Sequence, residues 1–226
     1  GYDFGAWQEA MASFALPRPH TELLILANDS VYGPLGPLAP VLARFDFRQA
    51  GFWGLTESWQ HRYHLQSYFL AAGREVLHGA AFWRGVRPAP SKPFIIRRYE
   101  VGLTQALLRA GHAVRAVWPY QALIEAVLTG AEADPSIPAL QHVRRRHHGT
   151  LTRAILGRPG LNPTSDLWRL LLAQGFPFLK KELLRLNPGR VPDLADWRAV
   201  VARHFPAAPL GEIEQDLALS VRNRAP

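Results

Sequence analysis

Two short stretches concentrate side chains able to do chemistry. The first is Asn28-Asp29-Ser30, three oxygen-bearing residues that follow the apolar run Leu23-Leu24-Ile25-Leu26-Ala27. An oxygen-rich turn of this kind suits a hard divalent cation that also grips phosphates, and it serves equally well as an Asx turn closing a strand. The second is Glu100, which precedes a helical repeat of Leu103, Leu107 and Leu108 ended by Gly111. A carboxylate at a helix start complements the helix dipole; facing a ligand, it can take a proton from a hydroxyl as a general base. Trp53 and Trp59 flank Glu57 and Ser58, where an indole either stacks on a sugar or simply fills the core. Lys180, Lys181 and Arg185 either face a phosphate or edge an aromatic packing segment, Gly175 to Leu184. The pairs His61/His64 and His147/His148 sit in no HxxxH or HExxH frame, so metal ligation by them is disfavoured. Arg144-Arg145-Arg146-His147-His148 reads as a solvated basic face.

These residues need elements that aim them. The run 23–27 predicts a buried strand presenting Asp29 beyond its carboxyl end. Phe52-Trp53-Gly54-Leu55-Thr56 predicts a second strand ending in Glu57 and Ser58, and HLQSYFLA (64–71) a third. Val76, Leu77, Ala80 and Trp83 predict a helix over 74–84, the leucine spacing predicts another over 99–110, and 113–117 returns as a strand. Beyond about residue 120 the pattern turns helical: 121–128, a loop holding Pro135 and Pro138, then 164–173, 179–186, 193–204 and 211–221. Strands alternating with helices before a helical end predict an α/β protein with a parallel or mixed sheet. Ligands bind beyond the carboxyl ends of strands in such sheets, where Asp29 and Glu57/Ser58 are expected.

Composition narrows the function classes. The chain has 226 residues, 48% of them hydrophobic, enough for a full core. No apolar run approaches the roughly 18–20 residues a spanning helix needs. With no cysteine, disulfide scaffolds, thiolate metal sites and cysteine nucleophiles are excluded, and a reducing, cytoplasmic setting fits. A net charge of +8 would attract nucleic acid, an anionic membrane or a phosphorylated ligand. The excess is spread out and lacks interleaved aromatic platforms, so nucleic acid is not the expected partner. The chain opens at Gly1 in mid-pattern and reads as a piece of a longer one.

GYDFGAW (1–7), LANDSVYGPL (26–35), FWGLTES (52–58), HLQSYFL (64–70), YEVGLTQALLRAG (99–111), NPTSDLW (162–168) and GFPFLKKELLRLNP (175–188) resemble, in the same order, the rhamnan synthesis protein F family. Its members are bacterial glycosyltransferases that build rhamnose-containing and related surface polysaccharides. The resemblance implies an α/β, GT-A-like domain over 1–226: a Rossmann-type mixed sheet flanked by helices, with 1–120 as catalytic core and 121–226 as a mainly helical end. It implies too that the N-terminal nucleotide-binding βαβ part is missing, because the Asp29 turn comes so early. Asn28-Asp29-Ser30 would correspond to the donor-binding DxD motif with one carboxylate in place of two, Asp29 being the ligand of Mg²⁺ or Mn²⁺. Asp3 would lie near the donor. Registering Leu103, Leu107 and Gly111 on the pattern of the large inverting family puts Glu100 where the catalytic base stands, with Tyr99 before it. Trp53, Glu57, His64, Gln66 and Ser67 would line the acceptor side.

The implied activity is inverting, metal-assisted transfer of rhamnose or a related deoxyhexose. The donor would be a nucleotide sugar such as deoxythymidine-diphosphate rhamnose, and the acceptor a hydroxyl on a lipid-linked or growing polysaccharide. The basic surface would suit work in the cytoplasm against the anionic inner leaflet. The rival expectation is a non-catalytic carbohydrate-binding or scaffolding module of a polysaccharide-assembly enzyme.

Overall fold

The computed structural model describes residues 3–79, 99–129, 149, 151–152, 160–192 and 194–222. The Arg144–His148 cluster, Trp83, Pro135 and Pro138 lie outside these residues, as does the second half of the helix expected over 74–84. In chain order the elements are α1 (Asp3–Ser13), β1 (Leu23–Ala27), β2 (Val31–Tyr32), α2 (Ala39–Leu42), β3 (Phe52–Ser58), β4 (His64–Leu65), β5 (Phe69–Gly73) and α3 (Arg74–His78). There follow α4 (Val101–Arg109), β6 (Val114–Trp118), α5 (Tyr120–Leu128), α6 (Pro163–Asp166), α7 (Trp168–Ala173), β7 (Leu179–Lys180), α8 (Lys181–Leu186), a 3₁₀ turn (Leu194–Asp196), α9 (Trp197–His204) and α10 (Leu210–Arg222). They divide into two compact units, Gly1–Asn28 with Ala43–Tyr120 and Asp29–Leu42 with Gln121–Pro226. The change of character near residue 120 falls on that boundary, and the excursion 29–42 belongs with the helical part.

The first unit is built on a mixed sheet. β1 pairs antiparallel with β5, β5 antiparallel with β3, and β6 parallel with β3. β1, β3 and β6 therefore run the same way, and their carboxyl ends share one end of the sheet. All seven residues of β3 are buried, as expected of a strand paired on both edges and covered on both faces. The strand extends through Glu57 and Ser58, so these two lie inside it rather than beyond its end. Leu26, Phe52, Leu70, Val76, Leu107 and Ala116 form the core of this unit.

β1 departs from expectation. Its outer face is open, with Leu23 and Ile25 43% and 37% exposed, while Leu26 turns inward. A continuous apolar run carries no alternation, and so does not distinguish a strand covered on both faces from one covered on a single face.

The stretch 64–71, expected as one strand, is interrupted. Gly54 pairs with Leu70 and Glu57 with Leu65, so residues 66–69 stand opposite only Leu55 and Thr56. This is a bulge, the device that re-aims side chains beside functional sites. Downstream, Gly111 ends the turn after α4 with φ +83°, the left-handed C-terminal stop that glycine supplies.

In the second unit, two distant motifs meet. β2 and β7 pair antiparallel, Val31 with Lys180 and Tyr32 with Leu179, and the Leu35 N–H donates to Pro177 O at 2.8 Å. Gly33, at φ +139°, is pressed so closely that an added Cβ would lie 2.6 Å from Pro177 O. The helix expected over 179–186 thus opens as a strand, because Leu179 and Lys180 have a ladder partner. The helix expected over 164–173 is two short ones, broken at Leu167 (φ −118°, ψ 24°). Tyr32, Leu35, Trp168, Leu179, Val201 and Ile213 pack as the unit's core.

Candidate functional site

Four segments of the first unit are tied together at the carboxyl end of β1. The Asn28 side-chain amide donates to Asp3 Oδ2 at 2.9 Å. The Asn28 N–H carries the β1 pairing one step further, to Tyr68 O at 3.2 Å. Beside Tyr68, the Ser67 N–H donates to Glu100 Oε1 at 3.2 Å. Phe4 and Tyr99, next to Asp3 and Glu100, stack with ring centroids 5.7 Å apart. Asp3, Asn28, Ser67 and Glu100, four residues singled out in the sequence, are thereby joined through the bulge.

Glu100 owes its position to the start of α4. Tyr99 and Glu100 form a π-type turn ahead of the helix, a widened turn common at functional sites. Glu100 stands at the N-cap position with helical backbone angles and makes no capping hydrogen bond. Its carboxylate leaves the helix axis for the bulge, and among the described residues Oε2 makes no hydrogen bond. Further along the same face, Thr104 Oγ1 accepts the Leu65 N–H at 3.1 Å, and Gln105 Nε2 donates to Tyr63 O at 2.8 Å. Residues 100, 104 and 105 thus grip the backbone at 67, 65 and 63. These contacts satisfy the N–H groups of Leu65 and Ser67, which point away from β3; that of Leu65 would otherwise be buried unpaired. Neither Thr104 nor Gln105 was singled out in the sequence, although Thr104 lies at the helical i+4 from Glu100 that marks a shared face.

Other predicted residues have structural partners. Glu57 is buried with both oxygens engaged, Oε2 by the Tyr63 hydroxyl and Oε1 by the Tyr120 N–H, each at 2.8 Å. It joins the end of β3 to the start of α5. Burial and the neighbouring Glu57 charge push the Tyr63 hydroxyl far above the ordinary tyrosine range. Gln66 Oε1 accepts from the Thr56 hydroxyl at 2.7 Å, and the buried Tyr68 hydroxyl lies 2.7 Å from the same Thr56 oxygen. Burial raises the Tyr68 pKa in the same way. His64 is buried with Nδ1 2.8 Å from Arg62 O; since a carbonyl only accepts, Nδ1 carries the proton. Trp53 packs against Phe45 and donates its indole N–H to Ala50 O at 3.0 Å, away from the group around Glu100. Trp59, by contrast, is exposed, its ring tilted against that of Tyr63 with centroids 5.2 Å apart.

Asp29 and Ser30 belong to the second unit. The Asp29 side chain is 95% exposed, and its Oδ2 lies 4.0 Å from Lys181 Nζ. Ser30 O accepts the Lys181 N–H at 3.0 Å, which fixes the lysine beside the turn. Mg²⁺ and Mn²⁺ need several oxygens around them, at about 2.0–2.1 Å for Mg²⁺. Here one carboxylate faces an ammonium group, and among the described residues no three His, Asp or Glu gather. A dication on Asp29 would stand beside the Lys181 ammonium group and be repelled by it, which disfavours one at this turn.

An open groove of about 880 Å³ lies at the opposite end of β1, lined by Glu22, Leu23, Phe47, Gly73, Arg74 and His78 among others. It contains none of the predicted site residues. No helix among the described residues is long and apolar enough to cross a membrane.

The family described as rhamnan synthesis protein F matches residues 1–134, which takes in the Asp3, Asn28–Ser30, bulge and Glu100 segments; the motifs at 162–168 and 175–188 lie beyond it. The virulence protein VirA of Vibrio anguillarum is 29% identical over 201 residues, 86% of this chain and 62% of that protein. The uncharacterized protein y4gN of Sinorhizobium fredii is 25% identical over 133 residues, 56% of this chain and 35% of that one. The chain thus spans less than two thirds of the length of these curated relatives. No solved structure matches it.

Proposed function

Because the chain belongs to the rhamnan synthesis protein F family, we propose that it is a GT-A-like glycosyltransferase domain of surface-polysaccharide synthesis. It transfers rhamnose or a related deoxyhexose from a nucleotide sugar, deoxythymidine-diphosphate rhamnose being the donor the family name suggests. The acceptor is a hydroxyl of a lipid-linked or growing polysaccharide, met at the cytoplasmic face of the membrane.

Glu100 is the observation that carries this reading. One of its carboxylate oxygens is held by the Ser67 N–H, which fixes the side chain, while Oε2 is left to act as a base. In the reaction, Oε2 takes the proton of the acceptor hydroxyl as that oxygen attacks the anomeric carbon. The bond from the anomeric carbon to the phosphate oxygen breaks, its electron pair leaves with the nucleoside diphosphate, and the configuration inverts. The donor-binding role falls to Asn28-Asp29-Ser30 as the counterpart of the family's donor-binding turn, and to Asp3, whose Oδ2 accepts the Asn28 amide. Ser67 contributes to the acceptor side, with Gln66 and His64 holding the bulge in shape from within. No step passes through a divalent cation.

The test is turnover of nucleotide sugars by the wild-type chain and by Glu100→Gln. Transfer by the wild type that collapses in the variant, with donor affinity kept, supports the reading. Donor or sugar binding without transfer by either protein would replace it with the binding-module reading.

A further inference from the structure

We propose that the diphosphate of the donor is held at the Asp29 turn by the ammonium group of Lys181, which takes the place a divalent cation would occupy. This rests on the glycosyltransferase reading above and names how its donor side is charged. Lys181 is fixed there from three directions within one unit. Its backbone N–H is bonded to Ser30 O, extending the β2–β7 ladder. Its Nζ lies 5.3 Å from the centroid of the Tyr32 ring, a cation–π placement that favours the charged head at that spot. The same Nζ is 4.0 Å from Asp29, and only 23% of the lysine side chain is exposed.

The ring is itself anchored. The Tyr32 hydroxyl donates to Asp216 Oδ2 at 2.6 Å, and Arg185 reaches the same oxygen at 2.6 Å. Tyr32 is thus clamped and Asp216 is paired with Arg185, while the solvent-facing Asp29 stands 4.0 Å from Lys181. A cation placed in advance, with little side-chain freedom left to lose, suits a leaving group whose negative charge grows as the bond to the sugar breaks. Asp29 then serves as a hydrogen-bond acceptor for hydroxyls of the donor, not as a metal ligand. Lys181 lies outside the segment that matches the family.

The experiment is calorimetric titration of thymidine and uridine diphosphates into the chain, with chelator and again with Mn²⁺, for wild type, Lys181→Met, Lys181→Arg and Asp29→Asn. The wild type is expected to bind one of them with the same affinity under both conditions. Lys181→Met is expected to weaken it by about tenfold or more, the loss of one charge-assisted contact. Lys181→Arg should restore most of the affinity, and whatever affinity Asp29→Asn retains should be the same with chelator and with Mn²⁺. Binding that requires Mn²⁺ and disappears in Asp29→Asn would overturn the inference and leave the glycosyltransferase reading standing. If the wild type binds neither nucleotide under either condition, both fall. Unchanged affinity in a folded Lys181→Met would also overturn it, and should that variant fail to fold by circular dichroism, Lys181→Gln takes its place with the same two outcomes.

Discussion

Glu100 and Glu57 are both carboxylates at the end of the sheet where β1 and β3 finish, and their partners give them different work. Glu57 has both oxygens filled by Tyr63 and Tyr120, the arrangement of a structural tie. Glu100 has one oxygen held and one open. Glu100→Gln keeps an oxygen for the Ser67 N–H, so the fold should be intact. As a general base it should account for about 10²–10⁴ of the turnover rate, and steady-state kinetics should place the loss in kcat with donor affinity unchanged. The contrast between the two was only half legible in the sequence. Glu100 announces itself through the leucine spacing after it. The partners of Glu57 come from a loop and from the head of another helix, which no local pattern reveals. Lys181 was recognisable as a phosphate candidate, but its place beside Asp29 depends on a pairing between strands far apart in the chain.

At the scale of elements, the bulge and α4 act as one piece. Thr104 is 1% exposed and accepts the N–H of Leu65, also 1% exposed. Thr104→Val keeps the shape and removes the acceptor, so it should destabilise the protein by about 1–3 kcal/mol, the cost of a buried unpaired donor. Urea unfolding measures this, and Thr104→Ser should recover most of the loss; a valine variant as stable as wild type would detach α4 from the bulge energetically. Tyr63 and Tyr68 add a pH dependence. Both hydroxyls are held neutral well above the ordinary tyrosine pKa of about 10. Above that pH the unfolded chain loses protons that the folded one keeps, so stability is full below about pH 10 and falls as pH rises further. Thermal midpoints taken from pH 8 upward should show the decline, and Tyr68→Phe should shallow it. Strand existence was readable from β-forming composition, as was the stop at Gly111. The bulge was not, because an interruption in 64–71 exists only relative to its partner β3. The open face of β1 stayed hidden for a related reason: an apolar run records hydrophobicity but not how many faces are covered.

For the molecule as a whole, the order of strands then helices was legible and gave the mixed α/β class. The grouping of 29–42 with 121–226 was not legible, since it is fixed by contacts of Tyr32 and Leu35 with Leu179 and Pro177. The net charge of +8 belongs to this scale too. If the protein works against an anionic leaflet, it should sediment with vesicles containing phosphatidylglycerol at low salt and be released as salt shortens the Debye length toward about 3 Å at 1 M. Equal partition to neutral phosphatidylcholine vesicles would remove electrostatics from its membrane contact.

Glycosyl transfer with Glu100 as the base is tested by release of nucleoside diphosphate from thymidine-, uridine- and guanosine-diphosphate sugars, measured with and without a lipid-linked acceptor, for wild type and Glu100→Gln. The wild type is expected to turn over one donor when acceptor is present, and the variant to be slower by about a hundredfold or more at unchanged donor affinity. Equal rates for the two proteins, or donor binding with no transfer by the wild type, would contradict it.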